Sequence, residues 1–176
     1  MKNENTKYNK KVLSAFEWLD SIVFSLTIVL LIFTFAIKTF IVQGSSMEPN
    51  FYTGDRVFAL ELGYEPQSGD VVVIDDNNNL YEPLIKRVVA TAGQTVNIDP
   101  TTGAVTVDGV AFDEPIAAAD VNVRGDAVYP LTVPEGYVFV MGDNRSVSLD
   151  SRYSQLGCVD VRSIVGKELF TLKGLR

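Results

Sequence analysis

The chain contains no histidine. That absence removes the Ser-His-Asp triad, the Cys-His dyad and every histidine-ligated metal site within the chain. A proton shuttle working near neutral pH must then come from a side chain whose ordinary pKa lies far from neutrality. Cysteine is nearly absent too. Cys158 stands alone, so no intramolecular disulfide can form. A catalytic cysteine ordinarily pairs with a histidine, so Cys158 reads as a small, partly buried apolar residue. Positive charge is also in short supply, with Lys and Arg numbering 15 against 22 Asp and Glu, a formal charge of -7. That balance argues against nucleic acid as a partner, because sequence-independent binding needs clustered cations to neutralise phosphates.

What is present begins with a long apolar block. The length of 176 residues suits one modest domain with attachments, and hydrophobic residues make up 47% of it. Ser21 to Ile37 reads SIVFSLTIVLLIFTFAI and carries no charge. At about 1.5 Å per residue, a helix of this segment covers most of a hydrocarbon core of about 30 Å. Trp18 and Phe40 lengthen it, and Asp20 and Lys38 bracket it. The expectation is a single transmembrane anchor over residues 18–40. Lys2, Lys7, Lys10 and Lys11 precede it, and positive flanks stay cytoplasmic. Residues 1–17 then form a cytoplasmic tail, and residues 41–176 lie outside the cytoplasm. A cleaved signal peptide shares the basic start. However, the block is long, and the bulky run Lys38 to Gln43 after it offers no small-x-small site. A buried core helix is the other reading, but a helix apolar on all sides fits a small soluble domain poorly.

The remainder reads as strands. Arg56–Leu60, Asp70–Ile74, Leu84–Ala90, Tyr137–Met141 and Ile164–Leu172 are short β-rich runs bounded by turn residues. Val96–Ile98 and Ala104–Val107 flank a turn-rich segment from Asp99 to Gly103, a hairpin pattern, and Asp108-Gly109 turns the chain again. No long amphipathic helical period follows residue 42. The expected fold is mainly β, an antiparallel ectodomain behind one N-terminal helix, with a small inserted β subdomain around 95–133.

Candidate chemistry sits in separate stretches. Ser46 follows Gly44 in the turn-prone run Gly44-Ser45-Ser46-Met47-Glu48-Pro49, shortly after the apolar block. By itself that run fits an ordinary turn equally well. Lys86 lies inside an apolar strand. Exposed, it is a plain sheet-face charge; buried, desolvation disfavours its charged form and lowers its pKa. Arg87 falls on the opposite face of a regular strand, so one of the two can be buried and the other solvated. The run Gly142 to Arg152 packs Asp143, Arg145, Asp150 and Arg152 into a short polar span. It reads as a surface loop or as a fixed ion-pair network.

Taken together, these stretches resemble the bacterial type I signal peptidases. Ser46-Met47-Glu48-Pro49 is similar to the family's Ser-Met-x-Pro nucleophile motif, and Lys86-Arg87 to the Lys-Arg pair of its base strand. Gly142-Asp143-Asn144-Arg145 with Ser148, Asp150, Ser151 and Arg152 resembles its Gly-Asp-Asn-Arg-x-x-Ser-x-Asp-Ser-Arg box. Phe51 to Val57 and Gly69 to Val72 also fit its patterns. One anchor and a small ectodomain resemble the Gram-positive type. The resemblance implies a membrane-bound serine endopeptidase that needs no cofactor and no metal. It implies Ser46 as nucleophile, Lys86 as general base, Ser148 as the hydroxyl that orients the lysine, and Asp150 with Arg152 as a buttressing ion pair. Val42, Met47 and Ile85 would line shallow pockets for small side chains. The implied partners are secreted preproteins carrying signal peptides, the lipid bilayer and, functionally, the protein-export machinery.

One departure bears on the oxyanion region. Some members carry a serine two residues before the nucleophile, where this chain has Gly44. A second side-chain donor beside the Ser46 amide is then missing, to be replaced by backbone or water. Two readings compete with the resemblance. A self-cleaving Ser/Lys repressor would need a DNA-binding domain, which the sequence does not show. A non-catalytic anchored β-domain has no use for a nucleophile, a strand lysine and a buttress loop together.

Overall fold

A computed structural model describes residues 2–113 and 125–174. It divides into two compact units, the first ending at Ile37 and the second beginning at Lys38.

The first unit is one helix, α1 (Lys2–Ala36). No Gly or Pro interrupts it. Its stretch Val12–Ala36, 25 residues, is apolar enough to cross a membrane, and at 1.5 Å per residue it is about 37 Å long. The hydroxyls of Ser21, Ser25, Thr27 and Thr34 donate to the backbone carbonyls of Glu17, Ser21, Val23 and Leu30. They thereby satisfy themselves inside the helix, as an apolar solvent demands. Trp18, Phe24, Phe33 and Phe35 stand exposed along it.

The helix stops short of the expected 18–40 boundary. Residues Ile37–Ile41 form a strand, β1, which takes the edge of a sheet beside β2 (Arg56–Leu60). Ile37, Thr39 and Ile41 are β-branched and alternate, so this run is apolar enough for a helix end and patterned enough for a strand. Strand pairing decides the outcome. At the other end, helix extends back to Lys2, through most of the expected tail.

The second unit holds two sheets. Its other strands are β3 (Val71–Ile74), β4 (Leu84–Thr91), β5 (Thr95–Ile98), β6 (Val105–Val107), β7 (Val110–Ala111), β8 (Leu131–Thr132), β9 (Tyr137–Met141), β10 (Val159–Asp160) and β11 (Ile164–Leu172). The larger sheet has the order β1-β2-β11-β3-β4-β9-β10. Its pairings from β2 to β10 are antiparallel. The smaller sheet, β7-β6-β5-β8, is also antiparallel. It is built from the chain between β4 and β9; residues 114–124 of that stretch, within the expected insertion of 95–133, lie outside the described residues. The fold is mainly β, as the sequence pattern implies.

Local chemistry explains these elements. Val107 pairs with Val110 across Asp108 and Gly109, both at positive φ (52° and 79°), the backbone of a tight two-residue hairpin. β3 is buried along its whole length, which suits an unbroken run of Val and Ile in a central strand. Val89, Ala90, Phe139 and Met141 of the larger sheet pack with Val96, Ile98 and Val105 of the smaller one. The two sheets therefore share one core. A second cluster, Val42, Met47, Phe51, Val57, Ala59, Val71 and Val73, lies under the loop that carries Ser46.

Candidate active site

Ser46 sits in the loop between β1 and β2, which is held from below by burial of Met47 and Phe51. The Phe51 and Asn50 amides donate to the Met47 carbonyl, closing a tight turn just after the serine. Before it, Gly44 has φ +83°, a left-handed conformation that costs a side-chain-bearing residue energy. Its carbonyl accepts from Thr53 Oγ1 at 3.0 Å. The serine that some relatives carry at this position would therefore be strained in this loop. The backbone N–H of Ser46 has no acceptor among the described residues, so it is available to a ligand.

Lys86 is only 3% exposed. Its Nζ lies 2.9 Å from Ser46 Oγ. Burial is the main influence on it and drives the pKa below the ordinary lysine value. The negative charge of Asp150 pulls the other way, and the positive charge of Arg152 reinforces burial. The lysine reaches the serine because β4 is a central strand, paired with β3 through Lys86↔Val72. Pairing with β9 begins only at Arg87. Leu84 and Ile85 thus have a strand neighbour on the β3 side alone.

Arg87 differs from the solvated residue expected of it. Its side chain is 13% exposed and forms a bidentate pair with Asp143, 2.9 Å from Nε to Oδ1 and 2.7 Å from Nη2 to Oδ2. Asp143 is fully buried. A buried carboxylate needs such a partner, and the guanidinium fork supplies two parallel hydrogen bonds. Asn50 Nδ2 donates to the same carboxylate at 2.7 Å. Sequence reading missed Asn50 and the Arg87–Asp143 pair. The motif pointed to a network within the Gly142–Arg152 loop, yet Asp143 finds its partner on another strand.

Asp150 and Arg152 do pair inside that loop, with Nε to Oδ1 at 2.8 Å and both side chains buried. Asp150 Oδ2 also accepts the Gly142 amide at 2.9 Å, and Arg152 Nη2 donates to the Ser148 carbonyl at 3.2 Å. The pair thereby fixes the backbone on both sides of the loop. The Asn144 amide donates to the Ser46 carbonyl at 2.9 Å, joining the loop to the serine.

Ser148 departs from expectation. Its hydroxyl is buried and has no hydrogen-bond partner, so the expected bond to Lys86 is not formed. It lies against Gly142: a Cβ built on that glycine would sit 2.2 Å from Ser148 Oγ and 2.5 Å from the Ser46 carbonyl oxygen.

Two cavities flank Ser46. One, of about 300 Å³, is lined by Val42, Met47, Val73 and Ile85 among others. The other, of about 440 Å³, is lined by Gly44, Leu84, Ile85, Lys86, Val147 and Leu149 among others. Ile85 and Ser46 border both. A separate cavity of about 500 Å³, at Asn77–Asn79 and Cys158, is remote from this pair. Burial raises the Cys158 thiol pKa there, which opposes reactivity. Among the described residues no group of His, Cys, Asp or Glu is arranged to hold a metal ion.

Comparison with known proteins extends the argument. The family "Signal peptidase, peptidase S26" matches residues 15–173. Signal peptidase I of Bacillus licheniformis is 36% identical over 95% of this chain and 92% of its own length. Signal peptidase IB of Staphylococcus aureus is 31% identical over 88% of this chain and 87% of its own. A solved signal peptidase I from Enterococcus faecalis is 28% identical, with 59% of this chain and 97% of that chain covered and a TM-score of 0.47. The family match takes in most of the apolar stretch, both sheets and the whole serine–lysine site, so this chain is a peptidase belonging to the signal peptidase family, peptidase S26.

Proposed function

We propose that this protein is a membrane-anchored signal peptidase I that removes signal peptides from secreted preproteins, with Ser46 as nucleophile and Lys86 as general base. The observation that carries the reading is the 2.9 Å contact between Lys86 Nζ and Ser46 Oγ, made by a lysine that burial disposes toward its neutral form.

Neutral Lys86 takes the Ser46 proton as Oγ attacks the scissile carbonyl. The developing oxyanion is met by the Ser46 N–H. Lys86 then delivers the proton to the leaving amine, which is the new N-terminus of the mature protein. Ser46 is left acylated by the signal peptide. A water, deprotonated by the same amine, hydrolyses that ester and restores the serine. Ser148 is the buried hydroxyl available to hold the lysine. Left unpaired, such a group costs about 1–3 kcal/mol, and a bond to the amine in the reacting complex removes that cost. Asp150 and Arg152 keep the Ser148 backbone in place.

Substrate choice follows from the cavities. The peptide adds as a strand along the open side of Leu84 and Ile85, in the manner of β-augmentation. Val42, Met47 and Ile85 then narrow the pockets to small side chains. The apolar stretch of α1 spans the bilayer with the lysine-rich end inside, leaving residues from about 41 onward outside.

The test is cleavage of one preprotein by the full chain in detergent. Ser46→Ala and Lys86→Ala abolish cleavage and remain folded. Lys86→Arg is also inactive, because guanidinium stays protonated. An active Lys86→Arg refutes the general-base role.

A further inference from the structure

Asn50, in the nucleophile loop, makes a side-chain bond to Asp143. Its Nδ2 donates to that buried carboxylate, and Asp143 is held by Arg87, the residue after Lys86 on the same strand. Its own backbone carbonyl accepts from Lys173 Nζ, just past the end of β11. That ammonium also contacts the buried Asp55 at 3.3 Å and lies over the Phe51 ring. The Gly174 amide donates to the other Asp55 oxygen at 2.8 Å. Asn50 is thus pinned from two sides, through its side chain to Asp143, and so by way of Arg87 to the base strand, and through its backbone to Lys173 just past β11.

We infer that Asn50 is a positioning residue, which sets the distance between Ser46 and Lys86 by tying the nucleophile loop to the base strand through Asp143 and Arg87. This rests on the Ser46–Lys86 reading. Ser46 and Lys86 meet through a single hydrogen bond between two side chains, and each side chain has rotamer freedom. Attack needs reacting atoms at near-contact distance, so the backbones carrying them must not drift apart. The Asn144 amide bond to the Ser46 carbonyl restrains the loop toward the Gly142 segment. Asn50 adds a second restraint to the same segment, at Asp143, and Arg87 carries it on to β4. Burial of Asp143 strengthens it, because a carboxylate withdrawn from water holds its donors firmly. The charged groups facing Asn50 are Asp143 and Arg87 on one side and Lys173 with Asp55 on the other.

The experiment uses the full chain in detergent micelles with a signal-peptide substrate, reading kcat and KM separately beside thermal unfolding. Asn50→Asp replaces the donor with a second carboxylate against Asp143. It should lower kcat at least tenfold while KM stays within threefold. Adding Asp143→Asn reverses donor and acceptor across the same contact, and should recover at least threefold of the lost kcat. If Asn50→Asp does not fold, Asn50→Ser, which shortens the donor out of reach, takes its place and should show the same split. The inference is overturned if kcat of the folded Asn50 variant stays within twofold of wild type, if the loss lies in KM, or if the reversed pair recovers nothing. Should wild type and Ser46→Ala both leave the substrate uncut, the peptidase reading itself fails, and the two failures are told apart.

Discussion

Gly142 tests how tightly the site is built. A methyl group at this position would lie 2.5 Å from the Ser46 carbonyl oxygen, 2.5 Å from Ser148 Cβ and 2.2 Å from Ser148 Oγ. Real Cβ atoms essentially never come closer than 3.0 Å to such neighbours. In Gly142→Ala the Ser46 carbonyl must therefore retreat by at least about 0.5 Å. It is not free to do so, because the Asn144 amide holds it at 2.9 Å and Met47 behind it is buried. Overpacking of this kind costs about 1–3 kcal/mol of stability. A displacement of about 1 Å at reacting atoms costs about 10²-fold, so half of that places kcat roughly tenfold down. KM should change less than kcat, since Gly142 lines neither cavity beside Ser46. Steady-state cleavage of a preprotein, with thermal unfolding alongside, measures both. Ser148→Gly in the Gly142→Ala background removes two of the three clashes but leaves the Ser46 carbonyl in place. It should therefore recover stability and not kcat. A Gly142→Ala enzyme with kcat within threefold of wild type would refute the claim that this contact sets the serine's position.

Cleavage should rise with pH through the lowered pKa of Lys86, since the neutral amine is the reactive form; a chemistry-limited rate flat from about pH 5 to 9 contradicts the mechanism. The same lowering makes Lys86 a stability cost, full below its folded pKa and fading as pH climbs toward 10.5, so Lys86→Met should melt higher than wild type at neutral pH. Ile85→Ala should accept larger residues at the first or third position before the cut, or cut at extra sites; mass spectrometry of the products decides, and unchanged specificity with lower stability makes Ile85 plain core. For Asp55, burial pushes the pKa up, but the Tyr52 and Gly174 amides and Lys173 outweigh it and bring it to about 2. Its stabilising effect is whole above 3.8 and disappears as pH falls through about 2, so Asp55→Asn should lose that part of the acid-unfolding curve, followed by circular dichroism.

Strands with sharp edges were legible in the sequence. Arg56–Leu60 and Ile164–Leu172 have the ends that their patterns imply, because turn residues bound them. β1 was not legible, since an apolar strand directly after an apolar helix has no local signal at the join. Lys86 and Ser46 could be singled out as chemistry, and the Asp150–Arg152 pair could be guessed from proximity along the chain. Asn50 and Arg87 could not be connected to Asp143. That contact spans 93 residues from Asn50 and 56 from Arg87, and only the sheet order brings the three together. Ser148 shows the converse. Its place in the motif suggested a bond, and the packing against Gly142 leaves the hydroxyl unpaired.

The sheet order also governs the order in which the sheet can be assembled. β11 is the last strand in the chain, yet it lies between β2 and β3. The strand leading from the nucleophile loop and the strand beside Lys86 are separate until the C-terminal stretch slots in between them. A chain emerging N-terminus first cannot complete the sheet until β11 has been made. The sheet that carries Lys86 is thereby closed by the strand that arrives after all its other members.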